Sequence, residues 1–91
     1  MLVHAFMVQY KELGNSPGPW DESLFDFGGR PYEDTLPDDR IENYADRTPR
    51  FFSIHFRLRY DADMSYDDLR VLAKNHARDV FHRHYPDAPL F

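Results

Sequence analysis

Residues 50–60 read RFFSIHFRLRY and form the clearest strand in the chain. Side chains alternate across a strand, so every second residue shares a face. One face carries large apolar side chains: Phe52, Ile54, Phe56, Leu58 and Tyr60. The other face carries Phe51, Ser53, His55, Arg57 and Arg59. The alternation predicts a strand with one face in the core and a second face that is wet and basic.

A second strand is predicted over residues 2–13, LVHAFMVQYKEL. Its first half is apolar on both faces, which is typical of a strand that is covered on both sides. Val3, Ala5 and Met7 supply the second apolar face. A helix can cover one face, so we expect the middle of the chain or a second copy to cover the other.

A helix is predicted over about residues 66–84. Ser65 is a suitable N-cap, and Asp68 three residues later resembles a capping box, although Glu or Gln is usual there. Apolar residues and histidines then repeat every three or four positions and form one buried stripe. The stripe consists of Leu69, Leu72, Ala73, His76, Ala77, Val80, Phe81 and His84.

Residues 14–49 are predicted to be irregular, because they contain all four glycines and five of the seven prolines. Large side chains from Trp20 to Tyr44 indicate that this segment packs on the core. Pro37 followed by two aspartates suits a helix start, which predicts a short helix over about residues 37–46. A turn of helix is also predicted near residues 19–26.

These elements predict one small α+β domain spanning residues 1–91. A small antiparallel sheet, formed by strands over about 2–13 and 50–60, packs against the C-terminal helix over about 66–84. A two-stranded ribbon under one helix is marginal in water. Either the middle segment adds a strand, or two copies join as a homodimer.

The composition excludes several classes of protein. The chain has no cysteine, which excludes disulfides, thiolate zinc sites and cysteine nucleophiles. No apolar window reaches the length of about 20 residues that a membrane helix needs, and no basic leader precedes the first apolar stretch. We expect a cytoplasmic protein without a membrane partner.

The acidic residues are concentrated in one part of the chain. Residues 15–47 hold nine acidic and three basic residues, within a formal net charge of −5. This segment is either a solvated surface or a binding surface for a basic partner. The predicted partner-binding residues are Trp20, Asp21, Glu22, Phe25, Asp26, Phe27 and Tyr32.

The basic strand face is a second candidate surface, made of Phe51, His55, Arg57 and Arg59. Aromatic and cationic side chains together resemble a surface that binds nucleic acid. The net charge of −5 argues against that partner, because phosphate neutralisation dominates such binding. We expect these arginines to meet carboxylates of the same chain or of a partner protein.

Five histidines raise the question of a metal site. His82 and His84 form an HxH pair, but on a helix they point to opposite sides. No third ligand can be placed, so neither a metal nor another cofactor is predicted. His4 and His55 would be neighbours in a suitable strand register, and a histidine beside Arg57 and Ser53 would suit a phosphate site. Nucleophile, zinc-protease and phosphate-loop motifs are absent, so no catalytic residue is assigned.

The leading hypothesis is a small acidic interaction module that occupies the surface of a partner protein. Adaptors and inhibitors encoded by phages or mobile elements act in this way. The alternative is a small histidine-dependent enzyme or a metal-binding domain.

Overall fold

The computed structural model describes residues 2–14, 18–31 and 36–91. These residues form four strands and one helix. In chain order the elements are β1 (Leu2–Glu12), β2 (Trp20–Pro31), β3 (Arg40–Tyr44), β4 (Phe51–Tyr60) and α1 (Tyr66–His84). The predicted α+β class is confirmed.

The four strands form one antiparallel sheet in the order β2-β1-β4-β3. β1 and β4 are the central pair, with a register that runs from Leu2 opposite Tyr60 to Lys11 opposite Phe51. The predicted pairing of these two strands is confirmed. β2 and β3 come from the middle segment and flank the central pair. The middle segment therefore supplies the additional strands that a stable sheet needs.

The short helix predicted over residues 37–46 is not confirmed, because β3 occupies Arg40–Tyr44. β3 pairs with β4, which places Arg40 opposite His55. The helical turn predicted near residues 19–26 is also wrong, because β2 begins at Trp20. Proline and acidic residues favour a helix start locally, but pairing with a neighbouring strand overrides so weak a preference.

A β-bulge lies between β1 and β2, where the register shifts between His4 and Phe6. Gly28 has a φ of 93° at this point, a conformation that other residues rarely adopt. At Gly29 a Cβ atom would lie 2.9 Å from the hydroxyl of Tyr60. The two glycines therefore allow β2 to continue past the bulge.

α1 begins as predicted, with the Ser65 side chain accepting a hydrogen bond from the Asp68 amide at 3.1 Å. Leu72 was expected in the buried stripe, but it is 43% exposed. The buried face is centred further round the helix, toward Ala77 and Phe81. The buried residues of α1 are Leu69, Ala73, Ala77, Val80 and Phe81.

The hydrophobic core lies between α1 and one face of the sheet. Phe81 is at its centre, stacked on Tyr10 at 4.2 Å between ring centroids and edge-on to Phe52 at 5.6 Å. The predicted packing of the C-terminal helix on the shared apolar face of β1 and β4 is confirmed. The strand residues of the core are Phe6, Val8, Tyr10, Trp20, Phe52, Ile54 and Phe56.

The tail that follows α1 returns to β2. The Trp20 amide donates to the Pro89 carbonyl at 2.8 Å, and the Phe91 amide donates to the Trp20 carbonyl at 2.8 Å. Trp20 and Leu90 thus form a parallel bridge. Because Trp20 also pairs with Glu12 of β1, the tail occupies the outer edge of β2 at this end.

Candidate functional site

The candidate site is the face of the sheet opposite α1, which we call the open face. Within residues 2–14, 18–31 and 36–91, no helix or strand packs over it. Strand alternation and register assign its residues. They include Ala5, Met7, Asp21, Phe25, Phe27, Arg30, Arg40, Phe51, His55, Arg57 and Arg59.

β2 divides the predicted acidic site between the two faces of the sheet. Trp20 and Glu22 pair with Glu12 and Tyr10 on the helix side. Phe25 pairs with Met7 on the open side. Sequence reasoning treated the segment as irregular, so it could not separate these two groups.

Trp20 is a core residue with 1% of its surface exposed. Its ring lies edge-on to Phe81 at 5.1 Å and near Tyr85 at 4.7 Å. The Arg50 guanidinium lies 5.2 Å from the ring centroids of both Trp20 and Tyr85, and it donates two hydrogen bonds to Glu12. Trp20 therefore stabilises the fold and is not accessible to a partner.

Glu22 belongs to an internal network, and its side chain is 7% exposed. Its carboxylate accepts hydrogen bonds from the Tyr10 hydroxyl at 2.8 Å and from Arg78 at 2.8 and 2.9 Å. Burial alone would raise the pKa of Glu22, but the bonds from Arg78 and Tyr10 outweigh it and lower the pKa. Glu22 is thus an ionised structural group.

Asp26 connects the bulge to β1 and α1. Its carboxylate bonds to His4 and to the Tyr66 hydroxyl, and it accepts from the Gly28 amide at 2.7 Å. Burial acts to raise the pKa of Asp26, but the hydrogen bonds from Tyr66, His4 and Gly28 lower it overall. Sequence reasoning missed this cluster, because its members are distant in the chain.

The prediction that His4 and His55 are cross-strand neighbours is wrong. β1 and β4 pair His4 with Leu58 and His55 with Met7, so the two imidazoles lie on opposite faces of the sheet. His4 is buried, and its Nδ1 atom has no hydrogen-bond partner among the described residues. The phosphate site suggested for the two histidines therefore does not form.

The remaining members of both predicted surfaces lie together on the open face. Phe25 is 42% exposed and Phe27 is 62% exposed. Asp21 lies opposite Lys11, which is itself opposite Phe51 on β4. The basic residues His55, Arg57 and Arg59 follow along β4, and Tyr32 lies outside the described residues. The structure thus joins two surfaces that the sequence presented as separate.

Arg40 is a member of this face that sequence reasoning missed. Its Nη2 atom donates to His55 Nε2 at 3.1 Å. Burial and the adjacent Arg40 charge lower the pKa of His55, while Glu42 opposes them. The sequence signal for β3 was an alternation of side chains, with Arg40, Glu42 and Tyr44 on one face and Ile41 and Asn43 on the other. Five residues were too few to outweigh the helix-start pattern before them.

The other histidines have separate surroundings. His76 bonds to Asp39 at 2.9 Å, and the His84 ring lies 5.0 Å from that of Phe52. His82 is half-buried near the Ala88 carbonyl. In the part of the chain that the structure describes, no three His, Asp or Glu side chains group as metal ligands.

Among the described residues, α1 is too polar to cross a membrane as a helix. Comparisons with protein families, with curated proteins and with solved structures found no match to this chain.

Proposed function

We propose that this chain is a small interaction module that binds a partner protein through the open face. The observation that carries the proposal is that exposed aromatic side chains and arginines lie together on the sheet face that no described helix or strand covers. Phe25 and Phe27 provide apolar surface beside Met7, and Arg57 and Arg59 lie on the neighbouring β4. Aromatic residues and arginine are the types that dominate binding energy at protein interfaces.

The charges of the open face favour an acidic partner over a basic one. The described basic residues of this face outnumber the acidic ones: Lys11, Arg30, Arg40, Arg57 and Arg59 against Asp21 and Glu42. Glu22 of the acidic segment is engaged inside the fold. An acidic protein surface would complement these arginines and be steered toward them. The overall net charge of −5 disfavours nucleic acid, which carries a far denser negative charge.

The test compares two pairs of variants of the full chain. Phe27→Ser and Arg59→Gln remove an aromatic and a cationic side chain from the open face. Val71→Ser and Arg83→Gln are matched controls on exposed positions of α1. Proteins retained from extracts of the source cells are purified, and their affinities for each variant are measured by calorimetry.

We expect Phe27→Ser and Arg59→Gln each to weaken binding by about tenfold, which corresponds to about 1.4 kcal/mol, and the helix controls to leave it unchanged. Raising the salt concentration should slow association. The proposal is overturned if the α1 variants weaken binding and the open-face variants do not. The acidic character of the partner is contradicted if Asp21→Lys weakens binding the most. A protein partner is contradicted if nuclease treatment releases the bound material.

A further inference from the structure

His55 lies near the middle of the open face, on one of the two central strands of the sheet. Strand pairing places it opposite the uncharged Met7 of β1 and opposite Arg40 of β3. His55 is half-buried, and it borders a cavity of about 440 Å³ that opens on this face. A histidine in this position can change the charge of the face within the physiological pH range.

One hydrogen bond shows which form of His55 the free chain favours. Arg40 Nη2 donates to His55 Nε2 over a distance of 3.1 Å. A guanidinium group has donors and no acceptor, so this ring nitrogen carries a lone pair and the proton of the neutral imidazole lies on Nδ1. Protonation of Nε2 would set an N–H group and a positive charge against the guanidinium group. The bond therefore exists only while His55 is neutral.

Charged groups of both signs surround this imidazole. Glu42 of β3 lies beside Arg40, with 3.8 Å between Arg40 Nε and Glu42 Oε1. Asp38 ahead of β3 and Arg57 of β4 line the cavity together with His55. Burial and then the charge of Arg40 lower the pKa of His55, whereas Glu42 acts in the opposite direction. Arg40 is thus the charged group whose position depends directly on the protonation state of His55.

We propose that His55 and Arg40 form a proton-operated switch on the open face. The neutral imidazole holds the Arg40 guanidinium group at β4, and protonation of Nε2 releases it and adds a positive charge to the face. The Arg40 side chain is 67% exposed, so it can turn into solvent without disturbing the core. The release of Arg40 is a property of the chain alone, whereas its effect on binding rests on the proposed function.

The switch should make binding of an acidic partner stronger in acid. A carboxylate that the partner brings to the open face stabilises protonated His55, so the pKa of His55 is higher in the complex than in the free chain. Binding then takes up a proton. The affinity therefore rises as the pH falls through the pKa of the complex, and it levels off below the pKa of the free chain.

An NMR titration of the isotope-labelled full chain tests the switch without a partner. Long-range proton–nitrogen spectra identify which ring nitrogen of His55 carries the proton, and the Arg40 Nε resonance reports on the guanidinium group. We expect neutral His55 to carry its proton on Nδ1, and the Arg40 resonance to shift with the same midpoint as His55. Arg40→Gln should raise the pKa of His55, and Glu42→Gln should lower it. A proton on Nε2 of the neutral ring, or an Arg40 resonance that does not follow the titration, would overturn the switch.

The effect on binding is measured with the partner protein that the full chain retains from extracts of the source cells. His55→Gln is the test variant, because its amide can accept from Arg40 but does not titrate. His82→Gln on α1 is the matched control, since His82 lies away from the open face. Calorimetry compares the affinities of both variants and of the wild type at about pH 8 and about pH 5, on either side of the usual histidine pKa.

We expect the wild type and His82→Gln to gain at least about threefold in affinity at the lower pH, and His55→Gln to lose this gain. If the partner binds the open face and His55→Gln keeps the full pH effect, the role of the switch in binding is wrong and the proposed function stands. If the open-face variants do not affect partner binding, the proposed function is wrong, and the NMR titration still decides whether the switch exists.

Discussion

Two carboxylates of the acidic segment, which the sequence predicts to be a solvated surface or a binding surface, are structural groups. Glu22 accepts hydrogen bonds from Tyr10 and Arg78, and Asp26 bonds to His4. Composition locates the excess of acid but does not show which side chains turn inward. The register of β2 against β1 determines which of these side chains face the core. This register includes a bulge, and two glycines are its only local sequence signal.

Replacing Glu22 with Gln should destabilise the fold in a pH-dependent way. The bonds from Arg78 and Tyr10 lower the pKa of Glu22 in the folded state despite burial. Its stabilisation is therefore present above the unfolded pKa of about 4.3 and is lost as the pH falls through the folded pKa. We expect Glu22→Gln to cost about 1 to 3 kcal/mol at neutral pH and less in acid.

Urea unfolding of the wild type and of Glu22→Gln at pH 7 and pH 3 measures this effect. Asp21→Asn is the control, because the adjacent side chain is exposed on the open face. Its substitution should change the stability by less than about 0.5 kcal/mol. Equal losses for the two variants, or a difference that does not shrink in acid, would contradict the assigned role of Glu22.

At the level of elements, β1, β4 and α1 were predicted well, whereas the 12-residue β2, which contains two glycines, and the short β3 were not. β1, β4 and α1 each have ten or more residues with a regular period, and all three lie where they were predicted. β3 has five residues, and only its partner β4 determines its conformation. The candidate site depends on β2 and β3. The sequence therefore predicted some of its residues, but not that these residues lie together on one face of the sheet.

Two leucines on α1 provide a test of which helix face is buried. Leu69 is 2% exposed in the core, whereas Leu72 is 43% exposed one turn away. Leu69→Ala should cost about 2 to 5 kcal/mol, since it empties a packed site, and Leu72→Ala should cost under about 1 kcal/mol. Denaturant melts of both variants measure the costs. A larger cost for Leu72 would mean that the helix is rotated from the orientation described.

On the scale of the whole molecule, the described residues form a single layer of sheet with a helix on one side. The core therefore occupies one face, and half-buried Ala5 and Met7 lie on the other beside Phe25 and Phe27. Apolar surface gathered in this way is a usual site of protein association. A partner protein and a second copy of the chain would compete for it.

We predict a homodimer in solution at high micromolar concentration, formed through the open face. Sedimentation should show a species of twice the 10.9 kDa chain mass. Met7→Glu should return the protein to the monomer, because it places a charge in the apolar part of the interface. Val71→Glu on α1 is the control and should leave the dimer intact. A wild type that stays monomeric at this concentration would refute the prediction.

The position of β1 and β4 at the centre of the sheet has a consequence for how the chain folds during synthesis. The hairpin-like pairs β1–β2 and β3–β4 are local, and such pairs form within about 1 to 10 μs. The central seam instead joins Leu2 to Tyr60, so it closes only after the intervening chain has looped back. The ribosome releases the first strand long before its partner emerges. Until then the nascent chain exposes Phe6 and Val8, and we expect chaperones that recognise apolar segments to bind it there.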